Sequence, residues 1–159
     1  MMKNLAVVLA LVAATLLATA SRAADPVADV TDMQALQAAV KADKRAYVAS
    51  VLKLTDAEAQ KFWPVYDLYQ KSLNLADRRR TRAIVEVVGT DRPMTDPYAR
   101  SLATELIATD EAEIKARRTL QNRLMRSLPP RKAARYLQLE SKIRAVEAYE
   151  IAQALPLVK

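Results

Sequence analysis

The chain has 159 residues, 25 Lys and Arg against 18 Asp and Glu, a net charge of +7, one glycine, and neither cysteine nor histidine. That length holds one domain with its own core, while the missing residue types exclude Cys–His dyads, Ser-His-Asp triads and the usual zinc ligand sets. A single glycine leaves no phosphate-cradling loop, and a composition rich in Ala, Leu, Arg, Glu, Lys and Gln without strand-like alternation predicts an all-α fold with few connections.

The first segment reads as an address. Lys3 makes a short positive region, and residues 5–17 form an apolar run of Leu, Val and Ala broken only by Thr15. Ala18-Thr19-Ala20 fits a small-x-small cleavage site, and Ser21-Arg22-Ala23 offers a second. This predicts a signal peptide over residues 1–23, cleaved after Ala20 or Ala23, because the apolar run is too short to span a bilayer. No cysteine follows to accept a lipid. The expected domain is 24–159, in a bacterial periplasm. Without residues 1–23, which hold Lys3 and Arg22 and no acid, the charge falls to +5. A basic exported protein points away from nucleic acid and toward acidic protein segments or anionic lipid head groups. Without disulfides, stability comes from packing.

Residues 24–30 are a polar lead-in. Thr31 is the expected N-cap of a first helix running to about Lys53, with Met33, Leu36, Val40, Tyr47, Val48, Val51 and Leu52 on its apolar stripe. Leu54-Thr55-Asp56-Ala57-Glu58 opens a second, long helix to Gly89, in which Thr55 and Glu58 stand at capping-box spacing. Phe62, Tyr66, Tyr69, Leu73 and Ala76 recur every three or four residues and predict its core face, broadened by Val65, Leu68, Ser72 and Leu75. Pro64 should bend it. Residues 89–96 form a loop.

Thr95 is the expected cap of a third helix, with Pro97 in its first turn. Tyr98, Leu102, Leu106, Ile107, Ile114, Leu120, Leu124 and Leu128 are expected to be its buried side. Glu111 with Lys115, and Glu113 with Arg117, stand at the favourable i, i+4 spacing on the opposite face; Arg82 and Glu86 do so on the second helix. Leu128-Pro129-Pro130 ends the third helix. A fourth starts near Pro130, with Ala133, Tyr136, Leu139, Ile143, Val146 and Tyr149 on one face, and closes at Pro156. The two long helices should pair as an antiparallel hairpin flanked by the two shorter ones. So thin a layer favours a second, most simply from a homodimer.

Export leader, four cysteine-free helices and the Leu54-Thr55-Asp56-Ala57-Glu58 start together resemble the Spy/CpxP-type periplasmic proteins, the LTXXQ-motif family. Glu58 stands where that family has Gln, and Leu128-Pro129-Pro130-Arg131-Lys132 falls where a second motif copy would lie. The resemblance implies a curved homodimer with a cradle-like face. The implied activity is ATP-independent chaperoning of unfolded envelope proteins, or control of an envelope stress response through the periplasmic domain of a sensor kinase. No enzyme activity, cofactor or metal is expected. A metal-responsive envelope protein and a structural or anionic-lipid-binding one are the alternatives.

Arg78, Arg79, Arg80 and Arg82 form the densest charge cluster. It reads either as the solvated turn of a long helix or as a surface for polypeptide clients or lipid. Arg78, Arg79 and Arg82, with Arg117 and Arg118 of the third helix, are the candidate client-binding residues. Leu54, Thr55 and Glu58 are explained by helix capping alone.

Overall fold

The structure, a computed structural model, describes residues 30–88 and 94–154. The expected leader, the lead-in before Val30, the turn over 89–93 and the tail after Ala154 lie outside the described residues. Among the described residues the fold is all-helical and has four helices: α1 (Met33–Leu52), α2 (Asp56–Val88), α3 (Asp96–Ser127) and α4 (Pro130–Ala154). No described helix is long and apolar enough to cross a membrane.

Asp32, not Thr31, caps α1: its Oδ1 accepts from the N–H groups of Gln34 at 2.9 Å and Ala35 at 3.0 Å. Aspartate caps as well as threonine and adds a negative charge at the positive end of the helix dipole. The expected single rod to Lys53 is also broken. Asp43 takes extended angles (φ −161°, ψ 96°), and its Oδ1 accepts from Ala46 N–H at 2.9 Å. A short carboxylate can thus offer the backbone an alternative to the helical ladder.

The chain reverses at Asp43. Before it, the Val30 carbonyl accepts from Lys142 at 2.7 Å, and Gln37 and Lys41 reach Glu150. After it, Lys44 reaches Glu147 at 3.0 Å, and Arg135 donates to the Val51 carbonyl at 3.2 Å. Both arms therefore lie along α4.

Lys53 ends α1 in the left-handed region (φ 46°, ψ 55°), its N–H donating to Ala49 O. A side chain there costs about 1–2 kcal/mol. The next four residues close the junction. Thr55 N–H donates to Glu58 Oε2 at 2.8 Å and Glu58 N–H donates to Thr55 Oγ1 at 3.3 Å, a reciprocal capping box. Lys132, from the first turn of α4, donates to Glu58 Oε2 at 2.6 Å and to the Lys53 carbonyl at 3.0 Å. Its hydrogen bond is the chief reason the Glu58 carboxyl sits below the usual carboxylate range, with the Thr55 N–H next.

α2 runs unbroken through Pro64. Thr95 occupies the cap position of α3 in extended conformation, but its hydroxyl makes no capping bond; Pro97 sits in the first turn. Leu128 ends α3 in extended conformation, and Pro130 opens α4, where a missing N–H costs nothing.

α2 and α3 pack along one another, α1 lies on α4, and α4 also touches α3. One apolar cluster joins all four helices through residues such as Leu36, Val48, Phe62, Leu124, Tyr136 and Ile143. Its densest part is aromatic. The Phe62 ring meets Tyr136 edge-on at 5.0 Å and Trp63 at 4.9 Å, and Tyr66 lies 6.1 Å from Tyr136. Arg45 stacks over Trp63, 4.1 Å from the ring centre, and is paired with Asp67.

The core stripes are narrower than the apolar content suggests. On α2 the buried set is Phe62, Tyr66, Tyr69, Leu73 and Ala76, while Leu68 and Leu75 are exposed. On α3 the buried positions are Thr109, Leu120 and Leu124. Ile107 and Ile114, expected in the core, are 60% and 52% exposed. On α4, Tyr149 is exposed and Glu140 is buried. Each of these helices carries more apolar side chains than one buried face accommodates, and only one stripe finds a neighbour.

Candidate functional site

A cluster of charged side chains ties the four helices together. Glu113 of α3 lies between two guanidiniums, Arg144 of α4 at 2.7 Å and Arg80 of α2 at 2.8 Å. Asp77 reaches the same pair, at 3.5 Å from Arg144 and 3.4 Å from Arg80, and Asp110 also binds Arg80. Glu147 accepts from Arg144 at 3.2 Å and from Lys44 of α1 at 3.0 Å. Burial alone would raise the Glu113 carboxyl. Hydrogen bonds and charge from Arg144, then from Arg80, override burial and hold it below the usual carboxylate range. The cluster is thus a clasp in which every carboxylate has a cationic partner. Among the described residues no group of three or more carboxylates is arranged to hold a metal ion.

Beneath the clasp lies Glu140, 1% exposed. Tyr136 Oη donates to its Oε2 at 3.3 Å, while Glu140 Oε1 and Tyr69 Oη make no hydrogen bond. Burial is the largest influence on this carboxyl and pushes it up; Lys44 opposes and Glu147 reinforces, and the upward push prevails. Burial, then the Glu140 charge, also raises the hydroxyls of Tyr69 and Tyr136, and the same two influences push Tyr66 up to about 12.

The direction of the Glu140 shift has a consequence for stability. Above the ordinary value of 4.5 the unfolded chain has lost a proton that the folded state keeps. Stability therefore falls as pH rises, by up to about 1.4 kcal/mol per pH unit, until the raised value is passed. Glu140→Gln is neutral and nearly isosteric, so it removes this slope. Urea titrations should show variant and wild type nearly equal below the ordinary carboxylate value, and the variant gaining as pH rises above it. A gap that does not change with pH would show that Glu140 is not held neutral by the fold.

The five arginines expected to contact clients do not form one site. Arg79 makes a forked bond to Glu105, at 2.8 and 3.0 Å, and so links α2 to α3. Arg78 and Arg82 are exposed and line a shallow depression on α2 with Thr81 and Val85. Arg117 and Arg118 line a separate groove between α3 and α4 with Ile114 and Leu137. The expected pairing of Glu113 with Arg117 does not form. Glu113 is held by Arg144 and Arg80, and Arg117 instead donates to Ser141 Oγ at 2.9 Å. Among the described residues Glu111 and Lys115 also make no pair. An exposed i, i+4 pair contributes only a few tenths of a kcal/mol, so partners across the fold win.

The clasp itself was missed in the sequence. Its signal was available: Glu140, Arg144 and Glu147 recur at i, i+4 and i+7 beside the apolar stripe of α4. Alternating charges at core spacing point to a charge cluster facing inward.

Outside the core, two of the helices carry a second stripe. On α3 it comprises Ile107, Ile114, Arg118, Gln121 and Met125; on α2 it comprises Leu68, Leu75, Arg78, Arg82 and Val85. Steps of three, four and seven residues place each set on one side of its helix. All these positions are exposed, so each of the two solvent-facing rows joins apolar groups to guanidiniums, one on α3 and two on α2. Fold and surface define the class: among the described residues, an all-α fold of four helices, clasped by charge inside and striped with apolar and basic groups outside. Compared with protein-family profiles, curated proteins and solved structures, the chain matches none of them.

Proposed function

We propose that the exported domain, residues 24–159, is a periplasmic protein of Spy/CpxP type that holds non-native polypeptides without catalysis and without ATP. The observation that supports this reading is the pair of exposed apolar–arginine rows on α2 and α3. A row of this kind binds apolar segments by burial and acidic ones by charge, without selecting one sequence. Ile107, Leu75 and Val85, each more than half exposed, are the strongest apolar points of these rows. In this reading α2 and α3 act as an antiparallel hairpin, and two copies pair into a curved homodimer whose rows face the client. Release follows when the client folds and withdraws its own apolar groups.

The test uses purified protein lacking the leader and a chemically denatured client diluted into buffer. Light scattering should fall in the presence of stoichiometric protein, without nucleotide. Ile107→Ser combined with Leu75→Ser should weaken that effect several-fold while leaving the melting curve unchanged, since neither side chain is in the core. Full aggregation at molar excess of the wild-type protein would remove the chaperone reading.

A further inference from the structure

We propose that the groove between α3 and α4 is the seat for one kind of client segment, an apolar side chain flanked by carboxylates. This rests on the polypeptide-binding reading and assigns to it a place and a chemistry. The apolar lining of the groove is Ile114 and Leu137, and its polar lining is Arg117, Arg118, Gln121, Gln138 and Ser141. No carboxylate lines it. Its volume of about 400 Å³ is at the small end for ligand pockets and suits a short piece of chain.

Charge complementarity identifies the occupant. Arg117 and Arg118 stand three and four residues after Ile114, so both guanidiniums flank the same exposed isoleucine one helical turn away. The acid that could have neutralised Arg117 within its own helix, Glu113, is committed to Arg144 and Arg80. What Arg117 keeps is a bond to a neutral hydroxyl, Ser141 Oγ at 2.9 Å, while that hydroxyl itself donates to the Leu137 carbonyl at 3.0 Å. A carboxylate arriving there makes a charge-assisted bond to the guanidinium, which is stronger than the one it joins or replaces. The walls are fixed, because Leu120 on α3 and Ile143 on α4 are fully buried beneath them. The groove therefore presents its apolar lining and one cation, Arg117 held by Ser141, already in place, which reduces the ordering cost of binding.

The experiment is fluorescence anisotropy with a short labelled peptide built around Asp-Leu-Asp. Arg117→Glu with Arg118→Glu should weaken its binding at least about tenfold. A Lys-Leu-Lys peptide should bind that variant better than it binds the wild type. Replacing Leu by Ser in the peptide should also lose affinity, and Arg123→Glu with Arg131→Glu, at exposed positions outside the groove and both rows, should change little. Arg118→Glu alone, at an exposed position, gives the same readout with the least risk to folding. Equal affinity of wild type and groove variants overturns the proposal. So does an equal loss in the Arg123 and Arg131 variant, which marks unspecific charge attraction. Displacement of the peptide by phosphatidylglycerol vesicles, together with indifference to the Leu, assigns the groove to lipid and also overturns it. If aggregation is suppressed equally by wild type and groove variants, the function stands and the groove assignment falls. If peptide binding is specific but aggregation is not suppressed, the reverse holds.

Discussion

Tyr136→Ala is expected to remove about 3–5 kcal/mol of stability, a large part of the 5–15 kcal/mol typical of a domain. Tyr136 is fully buried and is the hub of the aromatic group, with Phe62 at 5.0 Å and Tyr66 at 6.1 Å. Truncation loses apolar contact, leaves a cavity, and strips Glu140 of the donor to its Oε2. Tyr136→Phe separates these contributions. It keeps the ring and loses only the hydroxyl, and should cost about 0.5–1.5 kcal/mol. Because Tyr136 and Glu140 share that bond, Tyr136→Phe with Glu140→Leu, which removes the acceptor as well, should be less destabilised than the sum of the single changes predicts. Guanidinium titrations of the set provide the measurement. Near-equal stability of the Ala and Phe variants would mean that the aromatic group does not hold the helices together.

Arg144→Met is the second large effect, expected at about 2–3 kcal/mol. Removing one partner of a buried ion pair typically costs about 3–5 kcal/mol because the other charge is left behind. Here Glu113 keeps Arg80, which places the loss below that range. The pH dependence distinguishes the clasp from simple packing. The Glu113 carboxyl is depressed in the folded protein, so its contribution is present above the ordinary value of 4.5 and is lost as pH falls through the depressed value. The gap between wild type and Arg144→Met should accordingly narrow in acid. Adding Glu113→Gln to Arg144→Met should restore part of the loss at neutral pH, because the stranded charge is gone. A gap independent of pH would assign Arg144 to packing alone. Glu113 and Glu140 thus act in opposite senses: above 4.5 the first strengthens the fold and the second weakens it.

Features set by residues within about four positions of one another were legible in the sequence. The capping box of Thr55 and Glu58 forms as its spacing indicates. The breaks at Leu128-Pro129-Pro130 and the core face of α2 from Phe62 to Ala76 follow the same local logic. Capping and proline act on the adjacent turn, so no distant contact is needed to read them. Where two local solutions were equally good, the reading failed. Asp32 and Thr31 are both good caps, and Asp43 was as acceptable inside a helix as at the start of a new one. For the candidate site, the sequence showed the arginines but not their division between a clasp, a link to Glu105 and two separate surface patches.

The sequence by itself determined the helical fold class, the junctions at Thr55–Glu58 and Leu128-Pro129-Pro130, and the stock of guanidiniums, because these depend on composition and on neighbours along the chain. Tertiary structure alone decided which apolar row is buried and which carboxylate meets which arginine. Leu106 and Ile107 are equally apolar, and only the approach of a neighbouring helix favours one row over the other. Glu113 has Arg117 one turn away, yet it pairs with Arg144 and Arg80, thirty-one and thirty-three positions distant. A partner fixed by packing and shielded from water binds a charge more strongly than a mobile one in solvent, and that shielding exists only once the helices have met.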